Sequence, residues 1–157
     1  MIDRFVSKTE FNSYEDFYAN FSVNIPANFN FAWDVMDDLA REKPNERALL
    51  WCDEKGAEAE YSYEDLRRHS NQVANVLQKV GIGKGDPVML VLKRRYEYWP
   101  VLLALHKLGA IAIPATHLLT TKDIIYRCQA ADIVPAAYGR IDKAKVFHHA
   151  SCTDKAE

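Results

Sequence analysis

Ala104-Leu105-His106-Lys107-Leu108-Gly109-Ala110-Ile111-Ala112-Ile113-Pro114-Ala115-Thr116-His117-Leu118-Leu119-Thr120 reads as a buried helix stopped at Gly109 and a short strand ended at Pro114. Glycine after Leu108 can take the left-handed conformation that closes a helix without a Cβ clash. Upstream, Gly81-Ile82-Gly83-Lys84-Gly85-Asp86-Pro87 leads into Val88-Met89-Leu90-Val91-Leu92. Such an unbroken apolar run is expected of a parallel strand covered on both faces. The two pieces lie one crossover apart, so the fold class is α/β, a three-layer arrangement of alternating strands and helices.

The other elements follow outward from this unit. Ser13 caps a short helix beginning at Tyr14, with Asp16 three residues on. From Phe31 to Glu42 apolar residues recur at the helical interval, in the row Phe31, Val35, Leu39 and the flanking row Ala32, Met36, Ala40, until Pro44 stops them. That predicts one amphipathic helix. The stretches 47–53 and 58–62 flank Glu54-Lys55-Gly56-Ala57 and read as a hairpin. Ser62 and Asp65 have capping-box spacing for a helix to about Val80, whose row Leu66, Val73, Leu77, Val80 faces the sheet. After the strand at 88–92, a helix from about Tyr96 to Leu108 is apolar on most sides, with Pro100 near its first turn. Thr120 or Thr121 caps a third helix through Ala130, and Ile133-Val134 opens a further strand.

With 157 residues, 48% hydrophobic and 27% charged, the chain supports one domain-sized core. A net charge of -2 gives no general attraction to nucleic acid or anionic membranes. Cys52, Cys128 and Cys152 are odd in number and far apart, which argues against a disulfide framework or a CxxC pair and for a reducing, cytoplasmic location. Met1 to Phe5 lacks the pattern of a secretory signal. The apolar stretch from Val101 to Leu119 contains His106, Lys107, Gly109 and Pro114, so it is read as core and not as a membrane span.

Several patterns have a chemical and a structural reading. Gly81, Gly83 and Gly85 suggest a phosphate loop, but they precede their strand, where a nucleotide fingerprint follows one, and no GK[ST] occurs; a helix stop and strand entry is the better reading. Lys93-Arg94-Arg95 stands at the carboxyl end of the parallel strand, where open α/β sheets bind ligands, or is simply a solvated strand end. Tyr96, Tyr98 and Trp99 interleave with it as a nucleic-acid stacking platform would, but helical burial accounts for them more simply. His148-His149 with Cys152 lacks the further ligands a zinc site needs. Glu64-Asp65 is read as a helix start and Asp37-Asp38 as a helix face.

Taken in order and spacing, Phe29-Asn30-Phe31-Ala32-Trp33-Asp34, Ala48-Leu49-Leu50-Trp51-Cys52-Asp53, Tyr61-Ser62-Tyr63-Glu64-Asp65-Leu66, the glycine turn at 81–86 and Leu108-Gly109-Ala110-Ile111-Ala112-Ile113-Pro114-Ala115-Thr116 resemble the AMP-forming acyl-CoA synthetases. These belong to the adenylate-forming ligases, and the likeness is to their medium-chain and acetyl-type branch, over residues 29 to 131. The resemblance implies an N-terminal arm at 1–28, a partial AMP-binding domain at 29–134, forming part of the N-terminal subdomain of the ligase large domain, and a divergent or truncated tail at 135–157. It implies that the complete enzyme uses ATP, Mg2+ and CoA to turn a small carboxylic acid into its CoA thioester through an acyl-adenylate.

The Ser/Thr/Gly-rich ATP loop of such enzymes lies beyond the matched region and does not occur in these 157 residues. The chain is therefore expected to be an N-terminal fragment, inactive alone and prone to self-association or to pairing with the remaining domains. The patch expected to lack cover is formed by Leu90, Leu92, Leu102 and Leu105. The alternatives are a non-catalytic α/β module that pairs with a full-length relative and an abortive fragment. No catalytic residue or metal ligand is assigned. By the same resemblance the loop after Pro114 approaches the CoA side, which makes Thr116 and His117 candidates for cofactor binding and Arg127 one for a CoA phosphate, although acetyl-type members carry an aromatic residue followed by glycines there.

Overall fold

The computed structural model describes residues 2–133 and 145–148. Helix α1 spans Tyr14–Asn20, a π-helical segment Ala32–Asp37 runs into α2 (Asp38–Glu42), and strands β1 (Arg47–Cys52) and β2 (Glu58–Ser62) form a hairpin. Then come α3 (Tyr63–Lys79), β3 (Pro87–Val91), α4 (Tyr98–Leu108), β4 (Ile111–Pro114), α5 (Thr121–Ala130) and β5 (Lys145–His148). Strands β1 and β2 pair antiparallel, while β3 lies between β4 and β5 in a parallel sheet. The unit β3-α4-β4 is the crossover expected from the sequence.

Strand β3 shows why its sequence is apolar without alternation. Val88 and Leu90 pack with Leu77 of α3, Ala104 and Leu105 of α4 and Ile82, whereas Met89 and Val91 pack with Cys128 of α5 and Ile133. One strand thus feeds two cores, and residues 88–90 are fully buried. Complete burial of such a side chain contributes about 1.5–3 kcal/mol. A third cluster of Ala32, Leu66 and Leu103, with Leu49 and Tyr61 against it, seats the hairpin and the π-helical segment on the helices.

Local sequence sets the element ends. Ser62 Oγ accepts from the Asp65 amide while Asp65 accepts from the Ser62 amide, and Thr120 and Asp123 repeat this capping box at α5. Ser13 caps α1 by accepting from the Asp16 amide. Gly109 closes α4 at φ 66°, and its carbonyl accepts from the Gly85 amide at 2.9 Å, which ties the turn before β3 to the turn before β4. A Cβ there would meet Lys84 Cγ at 3.2 Å.

Several expectations are corrected. The helix at 31–42 begins with π winding, and its buried residues are Ala32, Asp37 and Ala40, while Phe31 is 45% exposed. Asp37 is accordingly no solvated helix face. Helix α4 starts at Tyr98, and β3 ends one residue before Leu92. Helical burial accounts for Tyr98, which packs against the core from α4, but not for the other two aromatics: Tyr96 precedes α4 and stacks on Tyr61 of the hairpin, and Trp99 is 47% exposed. Leu90 and Leu105 are fully covered, because α3 and α4 close over that face of β3; the exposed large apolar side chains include Leu118, Ile125 and Tyr126. Ile133 is a buried residue outside any strand, and Val134, His149 and Cys152 lie outside the described residues.

Helix α1 has no buried residue. The arm is held by a Val6–Val23 bridge, the Lys8–Asp16 ion pair at 2.8 Å, edge contact of the Phe5 and Phe29 rings at 5.3 Å, and an Arg4–Asp38 ion pair at 2.6 Å. Lys8, with the Asn12 amide and Asn20 assisting, holds the Asp16 carboxyl down at about 2. Among the described residues no helix is long and apolar enough to cross a membrane.

Candidate functional site

Because β3 and β4 are parallel, their carboxyl ends share one edge of the sheet: Leu90 stands opposite Pro114, and the Ala115 amide donates to the Leu90 carbonyl at 2.9 Å. Residues 92–97 leave this edge from β3, and residues 115–120 leave it from β4. Ligands of open α/β sheets bind outside such carboxyl ends.

The first loop presents Lys93, Arg94 and Arg95 to solvent. It is braced from the hairpin, where Trp51 Nε1 donates to the Arg94 carbonyl at 2.6 Å, and the Tyr96 ring stacks on Tyr61 at 5.2 Å and meets Trp51 edge-on at 5.9 Å. Burial, and then the neighbouring Tyr96, push the Tyr61 phenol up. Arg95 pairs with Glu97 at 2.9 Å, while Arg94 and Glu54 lie 3.8 Å apart with both side chains 94% exposed, a contact worth little in water.

The second loop carries Thr116 and His117, both exposed. Thr116 Oγ1 accepts from the Leu118 amide at 3.3 Å, a local turn that leads into the Thr120 cap. Bonds from the Thr120 hydroxyl, and then from its amide, hold the Asp123 carboxyl below its ordinary range. Arg127 is exposed on α5, six residues and so about 9 Å along the helix from Thr121. The fold thus brings Thr116, His117 and the basic loop to one sheet edge. Among the described residues no hydrogen bond or ion pair joins Arg127 to Thr116 or His117.

The edge offers cationic and neutral donors suited to an anionic ligand. Among the described residues no three His, Cys, Asp or Glu side chains form a group that could hold a metal ion. No step is therefore assigned to Mg2+ through them.

A second polar centre, absent from the sequence reading, lies at the other end of β4, where α4 leads into it. Lys107 Nζ pairs with Asp37 Oδ1 at 2.7 Å and donates to Asn71 Oδ1 at 2.8 Å, and it sits 4.8 Å over the Trp33 ring. The Lys107 and Asp37 side chains are only 2% and 3% exposed. Burial pushes the Lys107 ammonium down, opposed by its bond to Asp37. The signal available in the sequence was a lysine inside an otherwise apolar helix, since a buried charge needs a partner.

A family model described as AMP-binding enzyme matches residues 36–154, past Ala131, the last residue of the resembling stretch. The chain is 36% identical over 135 residues to the mitochondrial acyl-coenzyme A synthetase ACSM3 of Homo sapiens, an alignment covering 82% of this chain and 23% of that protein. Among solved structures, acetoacetyl-CoA synthetase from Streptomyces lividans superposes with a TM-score of 0.61 at 26% identity, over 66% of this chain and 16% of that one. The NpsA N-terminal subdomain of Klebsiella oxytoca gives 0.57 at 27% identity, over 63% and 25%. The chain therefore spans less than a quarter of the length of the curated relatives it matches, and its fold is the mixed helix and sheet of these structural neighbours. The sequence, its order of elements and its fold agree: this chain belongs to the AMP-binding enzyme family.

Proposed function

We propose that this chain furnishes the N-terminal scaffold of an acid–thiol ligase. In the complete reaction a carboxylate oxygen attacks the α-phosphorus of ATP, pyrophosphate leaves, and the thiol sulfur of CoA then displaces AMP from the acyl-adenylate with loss of its proton. The observation that carries this reading is the alignment of 82% of the chain with an acyl-coenzyme A synthetase. Thr116 and His117 are proposed to meet CoA at the shared carboxyl edge of β3 and β4, and Arg127 to meet one of its phosphates. Their part is to hold and orient, since placement of reactants supplies much of the rate in such transfers. The chain by itself is proposed to be inactive, because ATP, acid and thiol must be held together and the Ser/Thr/Gly-rich ATP loop does not occur in the sequence of these 157 residues.

Free Cys52 and Cys128 suit a reducing compartment, which need not be the cytosol. The human relative is named as mitochondrial.

The test is ATP–pyrophosphate exchange by the purified chain with acetate, butyrate, octanoate or benzoate. Exchange at background is expected. Exchange that depends on one of these acids, and disappears when Lys93, Arg94 and Arg95 are replaced together, would show a compact adenylating enzyme instead of a scaffold.

A further inference from the structure

The π winding at Ala32–Asp37 has a specific consequence for what is buried. Five steps along an α-helix turn about 140° beyond a full turn, so Ala32 and Asp37 would face different ways. In a π winding, whose N–H groups bond five residues back, they share a face. Both are buried, at 0% and 2% exposure, and the Asp37 carboxylate meets Lys107 there. An α winding would instead align the apolar row Phe31, Val35, Leu39, one of the two rows read in the sequence.

The same segment closes the carboxyl end of α4, where helix carbonyls lack partners of their own. Asn30 Nδ2 donates to the His106 carbonyl at 2.6 Å, and Trp33 Nε1 donates to the Lys107 carbonyl at 3.4 Å. Lys107 is therefore gripped at its main chain, at its ammonium by Asp37 and Asn71, and across the Trp33 ring.

We propose that residues 30–37 form a conformational clasp on α4 with two winding registers, and that the buried charge of Lys107 selects the π register. Without the ion pair nothing polar holds Asp37 inward, and the segment rewinds to α, turning Phe31 and Val35 inward and withdrawing Trp33 from the α4 carbonyl. The rest of the fold stands without the pair, because the clusters on the two faces of β3 do not include it.

The test uses the full chain and the charge-free variant Asp37→Leu/Lys107→Met, which avoids stranding one buried ion. Hydrogen-bond couplings by NMR identify the carbonyl partner of the residue-37 amide. In the parent the π winding calls for Ala32, five residues back; in the variant it is expected to be Trp33, four back. The Trp33 indole N–H is expected to exchange with solvent about tenfold faster, as a locally released group does. A second variant, Asn30→Ala, removes the bond to the His106 carbonyl and the bonds that Asn30 Oδ1 accepts from the Ala32 and Trp33 amides, but keeps the ion pair, and is expected to keep the π register. A double variant that retains the Ala32 partner would show that packing or backbone sets the winding, and an unfolded one would show that the pair holds more than a clasp; either overturns the proposal, as does an Asn30→Ala chain that rewinds.

Discussion

Replacing Gly109 tests the turn on which the βαβ unit depends. Its φ of 66° lies in the left-handed region, where a residue with a Cβ is strained by about 1–2 kcal/mol. An added Cβ would also stand 3.2 Å from Lys84 Cγ and 3.8 Å from Lys84 Cα. The lysine stem is on the exposed side of the turn and gives way, so backbone strain dominates. Gly109→Ala recovers about 0.4–1 kcal/mol through its stiffer unfolded chain, which leaves a small net loss. Gly109→Val adds a branched side chain in the same place and is expected to lose at least about 1–2 kcal/mol. For a chain of this length that lowers Tm by about 2–8 °C. Gly109→Asn is expected to lose less, since asparagine tolerates this conformation better. Gly83→Ala is the control, because Gly83 has no positive φ and its Cβ would meet nothing closer than Asp86 Oδ2 at 4.0 Å. Urea and thermal unfolding of the four variants give the order. If Gly109→Val melts with the parent, the left-handed turn is not what stops α4.

Other outcomes follow from the caps, the arm and the exposed apolar side chains. Thr120→Ala removes the hydroxyl of a capping box and is expected to cost about 1 kcal/mol by urea unfolding; an unchanged midpoint contradicts the cap. Asp16 titrates at about 2 in the folded chain and near about 3.9 when unfolded. Between these values the unfolded chain binds more protons, so the support for α1 is full above about pH 4 and is lost as the pH falls toward 2. NMR titration should show the α1 amides losing protection in that window, and Asp16→Asn should abolish the pH dependence. Self-association is expected at high concentration through side chains such as Leu118 and Tyr126, 77% and 69% exposed. A monodisperse monomer by light scattering, with no dye bound, contradicts it.

What could be read in the sequence was what is coded locally. The boxes at Ser62 and Thr120 and the stop at Gly109 each need only residues a few positions apart, and all three stand in the fold. The apolar run of β3 declared two covered faces for the same reason. The Asp37–Lys107 pair joins residues 70 positions apart, so no local period records it, although the row Ala32, Met36, Ala40 does face the core. Bracing of the basic loop by Trp51 and Tyr61 was hidden in the same way, because it depends on how the hairpin docks. The shared carboxyl edge of the parallel strands was legible, but the distance of Arg127 along α5 became visible only with the helix in place.

The most direct measurement is a chimera in which residues 36–133 of this chain replace the aligned segment of human ACSM3. Carboxylate-dependent ATP–pyrophosphate exchange and CoA-thioester formation should both be present. Changing Thr116, His117 and Arg127 to alanine together should then raise the KM for CoA while leaving the exchange, which needs no thiol, near that of the chimera. A chimera that melts cooperatively but shows neither reaction would contradict the scaffold reading, and equal loss of exchange and thioester formation in the triple variant would remove these residues from the CoA side.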